Sequence, residues 1–344
     1  MAFFAVTLEK IAQITAHPNA DRLEIATLVG LGFQFCIRKG EYQPGDSIVY
    51  FPIDSLLPPP LINTLSVGNM LAGAAKNRVK TVQLRGQISQ GLVCRPETVN
   101  VDPAQNNDLT QLLGVTKYEP PELFIPGAIL HPLPHGLGVY DIEGADRYVA
   151  VLELLLDLPV LITEKLEGTN HATVKTAMND KVVCQRGNLI VELPEVENTY
   201  WKAARTLGLL DLLEQIPAQL GEIVALRGEM IGPGIQKNIY GCKRPEVRLF
   251  DVKVGHKYLD AEDFLQQIPP QLRVPVLNAG QTLRQWLAGR TLQEASNGKS
   301  SLSEHAREGI VVRPMHEMYV DFGDGHPQRL ILKQRSPLYL AKEE

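Results

Sequence analysis

The stretch Glu164-Lys165-Leu166-Glu167-Gly168-Thr169-Asn170 holds the residue types a covalent reaction would need. Lysine is a poor nucleophile at neutral pH because its reference pKa is about 10.4. Desolvation or a cationic neighbour frees the amine. This lysine follows an apolar run, Pro159-Val160-Leu161-Ile162, which reads as a buried strand, and precedes a second run from His171 to Thr176. A glycine just after it lets the backbone approach a phosphate or base closely. Taken alone, the heptapeptide also fits a solvated turn with a surface Glu–Lys pair. Segments further along the chain shift the balance.

Val183-Cys184-Gln185-Arg186-Gly187-Asn188 ends a strand on Arg186, either a phosphate or ribose contact or a surface charge. Leu226-Arg227-Gly228-Glu229-Met230-Ile231 brings a carboxylate out of an apolar strand, closed by the turn Gly232-Pro233-Gly234, an arrangement suited to gripping ribose hydroxyls. Val247-Arg248-Leu249-Phe250-Asp251-Val252 sets an aromatic in an alternating strand, as core or as one wall of a base pocket. Arg307-Glu308-Gly309-Ile310-Val311-Val312-Arg313 opens a strand with a carboxylate. In Leu332-Lys333-Gln334-Arg335 two cations stand two apart, hence on one face of a strand. They would repel each other unless an anion sits between them, and a triphosphate would supply it.

In this order the segments resemble the motif series of the covalent nucleotidyltransferases: ATP-dependent DNA and RNA ligases and mRNA capping enzymes. The resemblance covers about 159–336. Within that superfamily the chain is most similar to nick-sealing RNA ligases, through the asparagine that ends Glu164–Asn170 and the Gly228–Gly234 stretch. An OB module ahead of the catalytic domain looks like a bacterial branch of them. The resemblance implies that Lys165 attacks the α-phosphorus of ATP and carries AMP covalently. It implies that Glu164 accepts from the adenine amino group and Phe250 stacks on adenine. Glu167, Arg186 and Glu229 join the nucleotide-binding set, the last two on ribose and the neighbouring phosphate. Glu308 would bind or orient Mg2+ or Mn2+. Lys333 and Arg335 would neutralise phosphates and favour the free amine, and Asn170 would act on the nicked end. Arg335 stands where a lysine is usual, which keeps the charge and changes its geometry. No Arg-Xaa-Asp-Lys motif follows, which speaks against DNA ligases and capping enzymes.

The elements that must position these residues split in two. Residues 1 to about 118 read as short strands with turn punctuation: Val6–Ile14, Leu23–Val29, Phe33–Arg38, Ser47–Pro52, Lys80–Arg85 and Gly91–Cys94. That spacing suits a small barrel. His17-Pro18-Asn19-Ala20-Asp21-Arg22-Leu23-Glu24, the stretch from Gly40 to Asp46, and Leu84-Arg85-Gly86 with Ser89-Gln90-Gly91 resemble the OB-fold module of tRNA-binding domains. Lys76, Arg78, Lys80, Arg85 and Arg95 are its candidate phosphate track. Phe33, Phe35 and Tyr42 are either stacking platforms or core.

A proline-rich passage, 120–136, reads as a linker or boundary. His131 and His135 belong to it, because Pro132 and Pro134 forbid the helix that would pair them as ligands. Beyond it the pattern is mixed. Strands are expected at 159–164, 171–177, 181–186, 222–231, 247–254, 308–313 and 329–334, helices at 195–215, 260–268 and 281–296, and a flexible loop at 297–303. The expected fold is α+β: an OB-type β-barrel over 1–119, then a nucleotidyltransferase domain over 120–344 built on antiparallel sheets with flanking helices.

The totals agree. The chain has 344 residues, 44% hydrophobic and 21% charged, enough for about two domains with real cores. A net charge of −5 argues against bulk adhesion to nucleic acid, not against a local basic groove. Cys36, Cys94, Cys184 and Cys242 are widely spaced, so a zinc site or disulfide framework is not expected. The N-terminus lacks a basic signal region and no apolar run approaches a membrane span, so a soluble cytoplasmic protein is expected, acting as a monomer. The expected activity is ATP-dependent sealing of RNA 3′-OH/5′-phosphate nicks in a duplex, a repair reaction. The alternatives are a non-catalytic OB-fold RNA-binding protein and an ATP-dependent DNA ligase.

Overall fold

The computed structural model describes residues 3–104, 108–119, 125, 128–193, 195 and 198–342. The chain separates into two compact units. One holds Ala2–Pro120, Glu143–Ala150 and Pro337–Glu344, the other Pro121–Ile142 and Val151–Ser336. Among the described residues, no helix is long and apolar enough to cross a membrane.

In the first unit, β1 (Thr7–Ala16), β2 (Leu23–Leu28), β3 (Gln34–Arg38), β4 (Ser47–Phe51) and β5 (Leu92–Cys94) form an antiparallel sheet in the order β3-β2-β1-β4-β5. A bulge between Ile11 and Gln13 bends β1, so its first half pairs with β4 and its second with β2. β4 is apolar from Ile48 to Phe51 because both of its faces are covered. Ile48 and Tyr50 pack with Ile11, Phe35 and Ile37, while Val49 and Phe51 pack with Leu57 and Leu61 under helix α1 (Pro59–Leu65). The expected strand at 80–85 does not join this sheet. Val82–Leu84 instead folds back on Gln87–Ser89 as a hairpin. That hairpin lies along β3, where the Ser89 hydroxyl accepts from the Cys36 amide at 3.0 Å, so the sheet is nearly closed in the OB manner.

The basic track thins out. Arg78 is forked onto Asp54 at 2.6 and 2.9 Å and stacked over Tyr118, and Arg95 bonds the Glu41 carbonyl above the Tyr42 ring. These two arginines hold the fold. Phe35 and Tyr42 are buried in the core and Phe33 packs on Tyr50.

The second unit stands on two antiparallel sheets. The larger runs β6 (Leu130–Pro132), β10 (Asn188–Ile190), β9 (Lys181–Cys184), β8 (Thr169–Lys175), β11 (Val224–Ile231), β12 (Glu246–Val254) and β13 (Lys257–Tyr258). The smaller contains β16 (Leu332–Arg335), β15 (Gly309–Pro314), β7 (Pro159–Lys165) and β14 (Val276–Thr282), in that order. One face of the large sheet presents Val183, Leu226 and Leu249 to helices α2 (Thr199–Thr206), α3 (Leu209–Gln215) and α4 (Ala261–Gln267), where Tyr200, Leu213 and Phe264 complete the core. Each such side chain contributes about 1.5–3 kcal/mol on burial. The other face of the sheet carries the polar residues of the site.

Several expectations are corrected. The helix over 195–215 is two helices. Asn198 caps the first through its side chain, and Gly208, at φ +67° in the left-handed region, breaks the run. Residues 196 and 197 of that expected helix lie outside the described residues, as do 120–124, 126 and 127 of the proline-rich passage. The helix over 281–296 is also two, α5 (Leu283–Leu287) and α6 (Leu292–Ser296), each opened by a capping box, Thr282 with Gln285 and Thr291 with Glu294. His131 sits in strand β6 paired with Leu189, not in a linker. The loop 297–303 is tied down by Ser300 and Ser301, which bond Glu164.

Candidate active site

Register decides which side chains share a face, because directly opposed residues point the same way. In the small sheet Lys165, Gly309 and Arg335 form one row, and Thr163, Val311 and Lys333 the next. Lys165, Lys333 and Arg335 therefore share a face. Glu164 points the other way, and its carboxylate accepts from the Ser300 hydroxyl at 2.5 Å and the Ser301 amide at 2.8 Å. The adenine-amino role read for Glu164 thus falls on a buried group whose oxygens already have partners.

The Lys165 amine donates to Glu308 Oε1 at 2.6 Å, and Arg335 Nε lies 3.6 Å from the same oxygen. The Lys165 side chain is 27% exposed and that of Glu308 10%, so the pair is reachable but sheltered. In the large sheet Asn170 opposes Glu229, and Glu229 opposes Arg248, which gives these three a common face. The Glu229 carboxyl is pushed up to about 8, by burial first and then by Glu308, with Lys165 opposing. The lysine, Glu229 and Glu308 thus share one electrostatic neighbourhood. The Asn170 amide oxygen is buried without a hydrogen-bond partner among the described residues.

Gly168 has a structural task of its own. A methyl group there would meet the Met230 carbonyl oxygen at 2.4 Å and Glu229 Cγ at 2.8 Å. Its bareness lets the lysine turn lie directly on β11. The Glu167 amide donates to the Tyr240 hydroxyl at 2.7 Å, a second tie on the same turn. Phe250 owes its direction to a bulge. Arg227 pairs with Asp251 and Gly228 with Leu249, so Phe250 is the extra residue between them. It lies half-buried against the Leu166 cluster, with the Tyr140 ring 4.9 Å away on centroids.

Lys333 and Arg335 do not wait for a triphosphate to separate them: carboxylates of the chain meet both. Glu308 faces Arg335, and Asp141 faces Lys333 at 3.4 Å and Arg186 at 3.2 Å. Burial lowers the Lys333 pKa, Asp141 raises it, and Lys165 and Arg335 lower it further. Asp141 and Tyr140 were missed in the sequence. Their only signal was the alternation of Leu137, Val139 and Ile142 with Gly138 and Asp141 beside the prolines. Behind Phe250 stands a buried charge network. Asp251, fully buried, bonds Arg329 and accepts from the Tyr140 hydroxyl at 2.7 Å. Glu317 clamps Arg313 at 2.7 Å and Arg329 at 2.5 and 2.7 Å. Burial alone would raise the Asp251 pKa, and Arg329 and Arg313 override it and hold it below the usual value.

Among the described residues no three His, Cys, Asp or Glu side chains cluster to make a metal cage. The oxygen donors present, Glu308, Glu229 and the unpartnered Asn170 amide oxygen, suit a hard divalent cation held by one or two protein groups and completed by substrate phosphates.

A family model of RNA ligases matches residues 158–334, and one of an OB-fold domain matches 5–96. A search of curated proteins finds no match. Among solved structures the chain is similar to the RNA ligase of Naegleria gruberi. A lysine-to-alanine variant of it with ATP and manganese is 26% identical at a TM-score of 0.79, covering 98% of both chains. Its complex with pyrophosphate is 26% identical at 0.78 over 99% of both. A glutamate-to-alanine variant with AMP and manganese is 25% identical at 0.78, also over 99% of both. Because the ligase match spans more than half of the chain and takes in Lys165, Glu229, Phe250, Glu308 and Lys333, this chain belongs to the RNA ligase family.

Proposed function

We propose that this ATP-dependent RNA ligase seals 3′-OH/5′-phosphate nicks through an AMP carried on Lys165. The observation that carries the reading is the Lys165–Glu308 pair at 2.6 Å, on the face shared with Lys333 and Arg335. Lys165 must shed a proton before it attacks, and the Glu308 carboxylate already holds that proton's hydrogen bond. Lys165 Nζ then attacks the α-phosphorus of ATP, forming an N–P bond as the P–O bond to pyrophosphate breaks. Lys333 and Arg335 offset the phosphate charge. Phe250 supplies a flat apolar wall for adenine, and Glu229 with Arg186 meets the ribose side. A 5′-phosphate oxygen next takes AMP from Lys165, restoring the amine. The 3′-OH then attacks that 5′-phosphorus and AMP leaves, with Asn170 beside the reacting ends. In this reading Glu308 would hold a magnesium or manganese ion, which would supply charge stabilisation to the transferring phosphoryl group.

Residues 120–344 do this chemistry in our reading, and the OB module, 1–119, holds the nucleic acid during RNA repair. Incubation with α-labelled ATP and Mg2+ or Mn2+ tests the first step. The wild type should take up covalent label and Lys165→Ala none; an unlabelled wild type overturns the reading. Sealing of a matched panel of nicked duplexes, with RNA or DNA on the 3′-OH side, tests the substrate.

A further inference from the structure

Asp141 carries its charge in the phosphate subsite, yet it belongs to none of the motifs read from the sequence. It ends a strap, 136–141, laid along the polar face of the large sheet. The Gly136 carbonyl accepts from Lys253 at 2.7 Å and the Gly138 carbonyl from Arg227 at 2.5 Å. Tyr140 is pinned by Asp251 at 2.7 Å and by its ring contact with Phe250. These ties fix the strap's backbone independently of any ligand. Asp141 alone reaches groups that a nucleotide also needs: its two oxygens lie 3.2 Å from Arg186 and 3.4 Å from Lys333. The Ile142 amide donates to one of them at 3.0 Å.

We propose that Asp141 is a resident counter-charge that holds Lys333 and Arg186 in phosphate-receiving positions and is displaced when a nucleotide phosphate arrives. Without an anion there, Lys333 would face Lys165 and Arg335 with only Glu308, already shared by those two, to offset three cations, and a long flexible side chain would swing away. A carboxylate on an anchored backbone prevents that and needs only a side-chain rotation to yield. Its position is thus a compromise: it keeps the empty subsite assembled and weakens phosphate binding by like-charge repulsion. Asp141 is a positioning residue in this account, since it acts through Lys333 and Arg186.

The inference rests on the ligase reading, so its test separates the two. Binding of AMP and of adenosine is measured by calorimetry in the Lys165→Ala background, where no covalent adduct forms. Adding Asp141→Asn should tighten AMP about fivefold, the effect of one like-charge contact at ~4 Å in the dielectric of water, and leave adenosine unchanged. Asp141→Glu should restore the parent AMP affinity. Weaker or unchanged AMP binding in Asp141→Asn overturns the proposal, and so does an equal change in both ligands, which would mean a rearranged pocket. A Lys165→Ala protein that binds neither ligand overturns the nucleotide site itself.

Discussion

His171 is expected to make the catalytic unit acid-sensitive, and the size of the effect follows from its surroundings. It opposes Gly228 on the helix-facing side of β8 and is fully buried. Its ring stacks on Tyr200 at 5.6 Å, Nε2 lies 3.4 Å from the Tyr200 carbonyl, and Nδ1 has no partner among the described residues. Burial brings its pKa down from 6.5 to about 4, with the Tyr200 carbonyl opposing. The folded state keeps the imidazole neutral while the unfolded chain protonates it below pH 6.5. Stability is therefore complete above 6.5 and drains away as the pH falls toward 4. The full shift is worth about 3 kcal/mol, of which about 2 is lost by pH 5. Trp201 and Trp286 both lie in the catalytic unit, so their fluorescence during urea unfolding reports that unit. His171→Phe keeps a ring against Tyr200 and cannot titrate. Between pH 7.5 and 5 the wild type should lose about 2 kcal/mol more than the variant. Carboxylates common to both proteins cancel in that difference. Equal losses would refute the buried neutral histidine.

Glu229→Gln should act in the opposite direction. The wild-type carboxyl, held at about 8 by burial first, keeps a proton that the unfolded chain releases near 4.5, so wild-type stability falls as pH rises from there through about 8. Urea unfolding at pH 6 and 9 should show about 3 kcal/mol less loss in the variant. Arg329→Met strands the buried Asp251 carboxylate and should cost about 3–5 kcal/mol in the same assay. A cost below about 1 kcal/mol would mean the pair is dispensable. Gly168→Ala drives a methyl into the Met230 carbonyl and should cut self-adenylylation about 100-fold, read with α-labelled ATP. Replacing the exposed Lys76 and Arg85 together by alanine should reduce the salt slope of RNA binding by about 1.5 and spare self-adenylylation. An unchanged slope would remove both from the phosphate track.

Much of the site was legible because strand alternation is local. The two-residue spacing of Lys333 and Arg335 dictated a shared face, and the pleat sends Glu164 and Lys165 to opposite faces. The helix break at Gly208 was also written locally and was overlooked, because the flanking apolar positions keep a helical period across it. The strand Val276–Thr282 was not legible. It is an edge strand with one buried residue, Asn278, so its sequence carries no apolar alternation. The loop 297–303 looked flexible from composition, yet Ser300 and Ser301 bond Glu164 from more than 130 positions away.

By itself, then, the sequence determined the family's kind of chemistry and the order of the candidate groups: a lysine, a carboxylate before a Gly-Pro-Gly turn, an aromatic, a second carboxylate and a cation pair. Each is a residue type at a local spacing, and pleat geometry turns spacing into a face. Only the tertiary structure decided what neutralises those cations, where Phe250 points and which glycine permits the lysine turn. Asp141 reaches Lys333 across 192 positions, and the Phe250 bulge exists only in the pairing of β11 with β12. No local pattern records which distant segment will be packed against which, since that is set by the burial of the whole sheet.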